Sequence, residues 1–267
     1  YAAMRERSVG LGVMGFHSFL QEQNVPFESV MAKVWNIKMF KHLRAGADAA
    51  SKKLAAERGA CPDAAEYGIE ERFSHKIAIA PTASISIIAG NTSPGIEPIA
   101  ANVFLQKTLS GSFVVRNRPL QLLLAKYRRD DEETWSSITL TKGSVQHLDF
   151  LTQHEKDVYK TAFELDQRWI IEHAADRTPY ICQSQSINVF VPANVDKRDL
   201  HQIHYQAWKK GVKSLYYCRS LSIQRADNVS EKAIRPDEFT GIPVMSDPIS
   251  VPLAAASTNY EECLACQ

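Results

Sequence analysis

Between Phe27 and Arg58 the apolar residues recur in steps of three and four, at Phe27, Val30, Met31, Val34, Ile37, Phe40, Leu43, Ala47, Ala50 and Leu54. That spacing predicts one long amphipathic helix, closed by Gly59 and then Pro62. Lys76 to Ala80 reads as a short buried strand that Pro81 ends. Asn102–Thr108 and Ser112–Val115, joined through Ser110-Gly111, have the pattern of a hairpin. Helices are expected at Pro119–Arg128 and at His154–Ala174, the second on Val158, Ala162, Leu165 and Trp169. Ser184 to Val191 alternates polar and apolar positions as a strand does. Asp199–Lys210 is helical on Leu200, Ile203, Ala207 and Trp208, with Gly211 as its stop, and Val212–Cys218 forms a last strand. Strands alternate with helices, so the body is α/β.

After Arg219 the periodicity stops. The 44 residues from Arg219 to Glu262 carry Pro236, Pro243, Pro248 and Pro252 and the small run Ala254-Ala255-Ala256. Such a stretch is expected to be a tail or linker, giving a body at 1–218 and a tail at 219–267. The chain has 267 residues and opens at Tyr1 inside what reads as a packed segment, so it is expected to be part of something longer.

Thirty-one Lys+Arg against 30 Asp+Glu leave a net charge of +1, which gives no electrostatic footprint for a nucleic acid. No apolar run approaches the roughly 18–20 residues of a membrane span. Five cysteines are too few and scattered for a secreted disulfide framework, so a cytoplasmic protein is expected. Cys61, Cys182 and Cys218 lie in apolar surroundings and read as structural.

Gly10-Leu11-Gly12-Val13-Met14-Gly15 matches the dinucleotide-binding pattern, but the charged stretch Met4–Ser8 before it is no strand. Close packing of small residues is the better reading, and an NAD-binding domain the rival. His201 and His204 share a helix face without an acid at ligand spacing and read as solvated. At Pro81-Thr82-Ala83-Ser84-Ile85 a buried strand enters a hydroxyl-rich turn ahead of an apolar stretch that can start a helix. Its amides could cradle an anion, or Ser84 or Thr82 could be an ordinary N-cap. Cys263-Leu-Ala-Cys266 could belong to a zinc knuckle in a metal-binding interaction module, or form a thioredoxin-like site, a mobile dithiol or an inert pair. The mobile dithiol fits best, because no second ligand pair and no βα turn accompanies the motif. In a regular strand the side chains of Tyr216 and Tyr217 would point to opposite faces.

The turn at Pro81–Ser84 with Gly90-Asn91 and Gly95-Ile96-Glu97-Pro98, the segment Cys182-Gln-Ser-Gln-Ser186, Leu215-Tyr216-Tyr217 and the terminal Cys pair occur here in one order. That ordered set resembles the C-terminal part of the large subunit of class I ribonucleotide reductase. The resemblance implies the second half of a ten-stranded α/β barrel followed by a flexible C-terminal tail. It implies that ribonucleoside diphosphates are reduced at the 2′ position by thiyl-radical chemistry. Pro81, Thr82, Ala83, Ser84 and Ile85 would then hold the substrate diphosphate through backbone amides; some members carry Thr where this chain has Ile85. Tyr216 and Tyr217 would relay a radical from the small subunit, with both rings brought to one side, Tyr216 inner and Tyr217 outer. Cys263 and Cys266 would re-reduce the active site and be recharged by thioredoxin or glutaredoxin. A coil of 44 residues spans about 35–40 Å, enough for that journey. The resemblance implies no cofactor in this chain and a metal-radical cofactor on the small subunit. It places the radical cysteine, two reducing cysteines, catalytic Asn and Glu and nucleotide effector sites upstream of Tyr1. A homo-oligomer is expected of the full-length subunit, and no activity of this stretch alone.

Overall fold

The computed structural model describes residues 1–108 and 111–220. The expected tail, with Cys263 and Cys266, lies outside the described residues apart from Arg219 and Ser220. Four extended segments run parallel to one another in chain order. Leu11 bridges Ile77, Ile79 bridges Gln185, and β3 (Val189–Val191) pairs with β4 (Cys218–Ser220) from Val189↔Cys218 to Val191↔Ser220. The strand expected at 76–80 and the first part of that expected at 184–191 are therefore extended segments held by single bridges, the parallel ladder forms at 189–191, and the strand expected at 212–218 begins only at Cys218. Ordered pairing also continues to Ser220, two residues past the expected end of the body at 218.

Helices connect these segments, as parallel neighbours require. The first crossover carries α1 (Ala2–Glu6) before it, then α2 (Phe16–Glu22), α3 (Val30–Arg58) and α4 (Pro62–Glu66). The second contains α5 (Ile85–Ile88), a hairpin of β1 (Val103–Thr108) and β2 (Gly111–Arg116), then α6 (Arg118–Lys126), α7 (Glu132–Leu140), α8 (Gln153–Val158) and α9 (Gln167–Arg177). The third is α10 (Lys197–Lys209), stopped by Gly211 at φ 73°.

Caps set most boundaries. Ser29 accepts from the Ala32 amide and starts α3 at Val30 rather than Phe27, and Gly59 at φ 81° ends it. The opening turn of α3 is not buried: Val30, Met31 and Val34 are exposed, while Ala32, Asn36, Phe40, Ser51 and Ala55 face the core. The helix expected at His154–Ala174 is two helices. The Ala162 amide donates to Ile99 instead of continuing the first, and Asp166 caps a new start by accepting from the Arg168 amide. α7 escaped the periodicity reading, yet Asp131 caps it on the Thr134 amide and Trp135 and Ile138 are buried beneath it. The hairpin is antiparallel as expected, from Val103↔Arg116 to Thr108↔Gly111.

The main core packs Phe16, Leu20, Phe27, Phe40, Ile77, Ile79, Ile181, Ile187 and Phe190 between helices and the parallel segments. One cation is buried in it. Arg177, 1% exposed, donates from Nη1 to Asn36 Oδ1 at 3.0 Å and from Nε to Gln185 Oε1 at 2.8 Å. Its guanidinium lies 5.6 Å from the ring centroids of both Phe16 and Phe40. Burial pulls its pKa down to about 9, against the opposing pull of Asp176. Asn36 Nδ2 donates to His173 O at 2.8 Å, and Gln185 Nε2 donates to Ala174 O and Thr178 Oγ1. One guanidinium thus links α3, α9 and the third parallel segment. Replacing it with Ala would leave two buried acceptors without donors, each costing about 1–3 kcal/mol, besides the lost packing. Arg177→Ala should lower stability by about 3–5 kcal/mol in urea unfolding of the protein that carries this chain, and a loss under about 1 kcal/mol would contradict the role.

Candidate functional site

The second parallel segment leads directly into the Pro81–Ile85 turn. Its edges are occupied: Leu11 N–H donates to Lys76 O, Ala78 N–H to Leu11 O, Ile79 N–H to Ser184 O and Ser186 N–H to Ile79 O. Past Ala80 the chain leaves this pairing. Thr82 takes φ 53°, unusual for a β-branched residue, and its Oγ1 accepts from the Gly95 amide at 2.7 Å. Gly95, at φ 48°, comes so close that a Cβ there would lie 3.0 Å from Ala80 O. The loop Asn91–Gly95 thereby pins the turn from behind.

Ser84 occupies the N-cap position of α5 without a side-chain cap, and the Thr82 hydroxyl is engaged with Gly95. Neither serves as the ordinary N-cap weighed above. The backbone N–H groups of Thr82, Ala83, Ser84 and Ile85 donate to no acceptor among the described residues. Four consecutive unused donors at one helix start suit an anion.

At the other end of the parallel set, Tyr216 N–H donates to Ile187 O and Tyr217 N–H to Asn188 Oδ1, ahead of β4. The pair thus precedes the regular strand, and the two rings touch. Their centroids are 4.1 Å apart at an interplanar angle of 53°. The rings are 47% and 39% exposed, so they are a surface pair rather than core packing. The guanidinium of Arg219 sits 5.7 Å from the Tyr217 ring centroid.

Two buried polar residues near this pair carry no role in the sequence reading: Glu97, which lies in the Gly95–Pro98 motif, and Asn188, which lies only within the expected strand 184–191. Glu97 is 6% exposed and Asn188 is 1% exposed. Burial pushes the Glu97 carboxyl up to about 7, while Asn188 and Arg219 pull it the other way. A glutamate between Ile96 and Pro98 was the available signal.

Other sequence candidates resolve differently. Residues 1–60 hold helices and one bridge rather than a βαβ unit, which removes the dinucleotide reading. Gly12 is there for close approach, because a Cβ would meet Ala78 O at 2.8 Å. Gly15, at φ 82°, leaves no room beside Thr92. His201 stacks on Tyr205, and His204 Nδ1 lies 2.8 Å from Leu200 O; no group of metal-ligating side chains occurs among the described residues. Cys61 is buried against Ser74. Cys218 is exposed, because β4 lies at the edge of the described set, and so is not a core thiol. Cys182 is half-buried and accepts from the Lys76 and Ile77 amides, each at 3.0 Å. Burial pushes its thiol up, but the two amides and Arg44 outweigh that and leave it below the ordinary value. No helix among the described residues is long and apolar enough to cross a membrane.

A sequence profile described as "Ribonucleotide reductase, barrel domain" matches residues 1–71 and 62–218. The ribonucleoside-diphosphate reductase large subunit of Invertebrate iridescent virus 6 is 47% identical over 98% of this chain and 28% of its own length. The putative large subunit of Frog virus 3 is 38% identical over the whole chain and 43% of its own length. Among solved structures, the class Id ribonucleotide reductase alpha subunit of Actinobacillus ureae is 40% identical with a TM-score of 0.76, covering 84% of this chain and 41% of that one. The chain therefore spans less than half the length of these relatives.

The turn makes a testable demand of any protein that carries it. Ala83→Pro removes one of the four donors. It should weaken binding of a diphosphate by tenfold or more, as expected for a lost charge-assisted hydrogen bond, whereas Ser84→Ala should change it less than threefold. Isothermal titration of both variants compares them, and equal effects would contradict an amide cradle.

Proposed function

The chain belongs to the ribonucleotide reductase barrel-domain family, and we propose that the protein it forms part of reduces ribonucleoside diphosphates to deoxyribonucleoside diphosphates for DNA precursor synthesis. The observation that carries this reading is the contact between Tyr216 and Tyr217. Two exposed oxidisable rings, 4.1 Å apart and placed ahead of the strand that would have split them, suit transfer of an electron and a proton from ring to ring. The unused amides of Thr82–Ile85 suit the diphosphate of the substrate. Four parallel segments separated by helices suit half of an α/β barrel.

In this reading a thiyl radical takes the 3′ hydrogen and water leaves from the 2′ carbon. Two thiols then supply two electrons and become a disulfide. This chain contributes the substrate turn, the inner portion of the radical path and, through Cys263 and Cys266, the dithiol that exchanges with that disulfide. The radical reaches Tyr217 from a small subunit that holds a metal-radical cofactor. Thioredoxin or glutaredoxin recharges the dithiol, which suits a reducing cytoplasm.

Two measurements on the full-length large subunit with its partner test this. Tyr216→Phe and Tyr217→Phe each remove a phenol at nearly constant volume, so nucleotide binding should persist while turnover falls by orders of magnitude. Normal turnover of either variant would remove the relay. Separately, Cys263→Ser and Cys266→Ser should block turnover driven by thioredoxin yet leave a small dithiol reductant effective. Equal loss with both reductants would sink the shuttle.

A further inference from the structure

The relay reading leaves Glu97 without a task, although burying a carboxyl is costly and its surroundings are specific. Glu97 lies on the loop after α5, beside Asn188 and within the field of Arg219. Glu97 Oε1 and Asn188 Nδ2 are both buried without a hydrogen-bond partner among the described residues, and they belong to neighbouring side chains. The other end of the Asn188 carboxamide accepts from the Tyr217 amide at 3.0 Å. Arg219 makes no ion pair among the described residues, and its guanidinium stands over the Tyr217 ring.

From this arrangement we infer that Glu97 is a positioning residue for radical transfer through Tyr217. It acts by two routes. Its carboxyl stands beside the Asn188 side chain, whose Oδ1 end accepts from the Tyr217 amide and so fixes the register of the two rings. Its carboxylate also offsets the charge that Arg219 places over the Tyr217 ring.

The second route has a definite sign. A cation over an aromatic face is attracted by the electron density of the ring. Oxidation removes some of that density, so an uncompensated Arg219 makes Tyr217 harder to oxidise. In the step concerned, the partner's radical takes one electron and the phenolic proton from Tyr217, leaving a neutral phenoxyl. Tyr216 then gives one electron and its phenolic proton to that phenoxyl, restoring the Tyr217 phenol and carrying the radical inward. Neither Glu97 nor Arg219 is consumed.

The inference rests on the relay reading, and the test separates the two. In the full-length large subunit with its radical-generating partner, Tyr216 is replaced by 3-aminotyrosine, which is easily oxidised and holds the radical for detection by electron paramagnetic resonance. The rate of trapping is measured at pH 8, where a carboxyl with a pKa of about 7 is mostly ionised. Glu97→Gln keeps the size and the acceptor but removes the charge, and it should slow trapping about two- to fivefold, the scale of a surface cation–π contact. Arg219→Met should make trapping faster. The double variant Glu97→Gln with Arg219→Met should recover most of the wild-type rate, a rescue that a merely structural role would not give. Asn188→Ala should slow trapping at least as much as Glu97→Gln, because the Tyr217 amide loses its acceptor. Substrate binding should stay unchanged in all of them.

Wild-type trapping in Glu97→Gln or in Asn188→Ala, or a double variant no faster than Glu97→Gln alone, overturns the inference. Should Glu97→Gln fail to fold, Arg219→Met alone decides, and trapping no faster than wild type overturns it. The relay is judged by Tyr217→Phe instead: if trapping at position 216 survives that change, the relay reading itself fails.

Discussion

The guanidinium of Arg177 sits inside the core, and the placing of the candidate site follows from it. A buried cation is tolerated only where hydrogen bonds replace its water. Here Asn36 on α3 and Gln185 on the third parallel segment supply the acceptors, with Phe16 and Phe40 over its faces. Those partners come from 141 and 8 residues away in the chain, so the interaction forms only when helix, helix and parallel segment are assembled. Gln185 is also the residue that bridges Ile79, and the segment through Ile79 leads into the Pro81–Ile85 turn. Beyond Gln185 the same segment continues through Ile187 and Asn188, which receive Tyr216 and Tyr217. One polar centre thereby fixes the segment whose two sides carry the turn and the tyrosine pair.

Both candidate features depend on backbone that stops being regular at a chosen point. A strand uses its amides in neighbour pairing, so the amides of the turn become available only because the chain leaves the sheet after Ala80. Thr82 in the left-handed region and Gly95 against Ala80 O are the local means of leaving. The tyrosines obey the same logic in reverse. Regular alternation would separate them, and they meet because the Asn188 side chain, rather than a ladder carbonyl, takes the Tyr217 amide.

Some of this was legible in the residues. The body and stop of α3, the hairpin, α10 with its Gly211 stop and the alternation of helix with extended chain follow from local spacing and local turn chemistry. The close-packing reading of Gly10–Gly15 held because a charged stretch before it cannot be a buried strand, and the segment 2–6 is helical. The continuous helix expected over 154–174 failed for a non-local reason: the periodicity of Val158, Ala162 and Leu165 is real, and all three are buried, but Ile99 captures the Ala162 amide from 63 residues away, the difference of those two positions. The apolar stripe at Val30, Met31 and Val34 misled for a similar reason, since periodicity marks a face without saying which part of it has a neighbour.

The sequence by itself determined the order of elements, the kinship of the ordered motifs and the residues that could carry chemistry, because each of these rests on covalent neighbours or on pattern along the chain. Tertiary structure alone decided which donors stay unused at Thr82–Ile85, that Tyr216 and Tyr217 lie ring against ring, and that Glu97, Asn188 and Arg219 gather at one place. Those three come from positions separated by 91 and 31 residues, the differences of their numbers. Their juxtaposition depends on which extended segments run side by side, a matter of packing and hydrogen bonding across the sheet that no local spacing encodes.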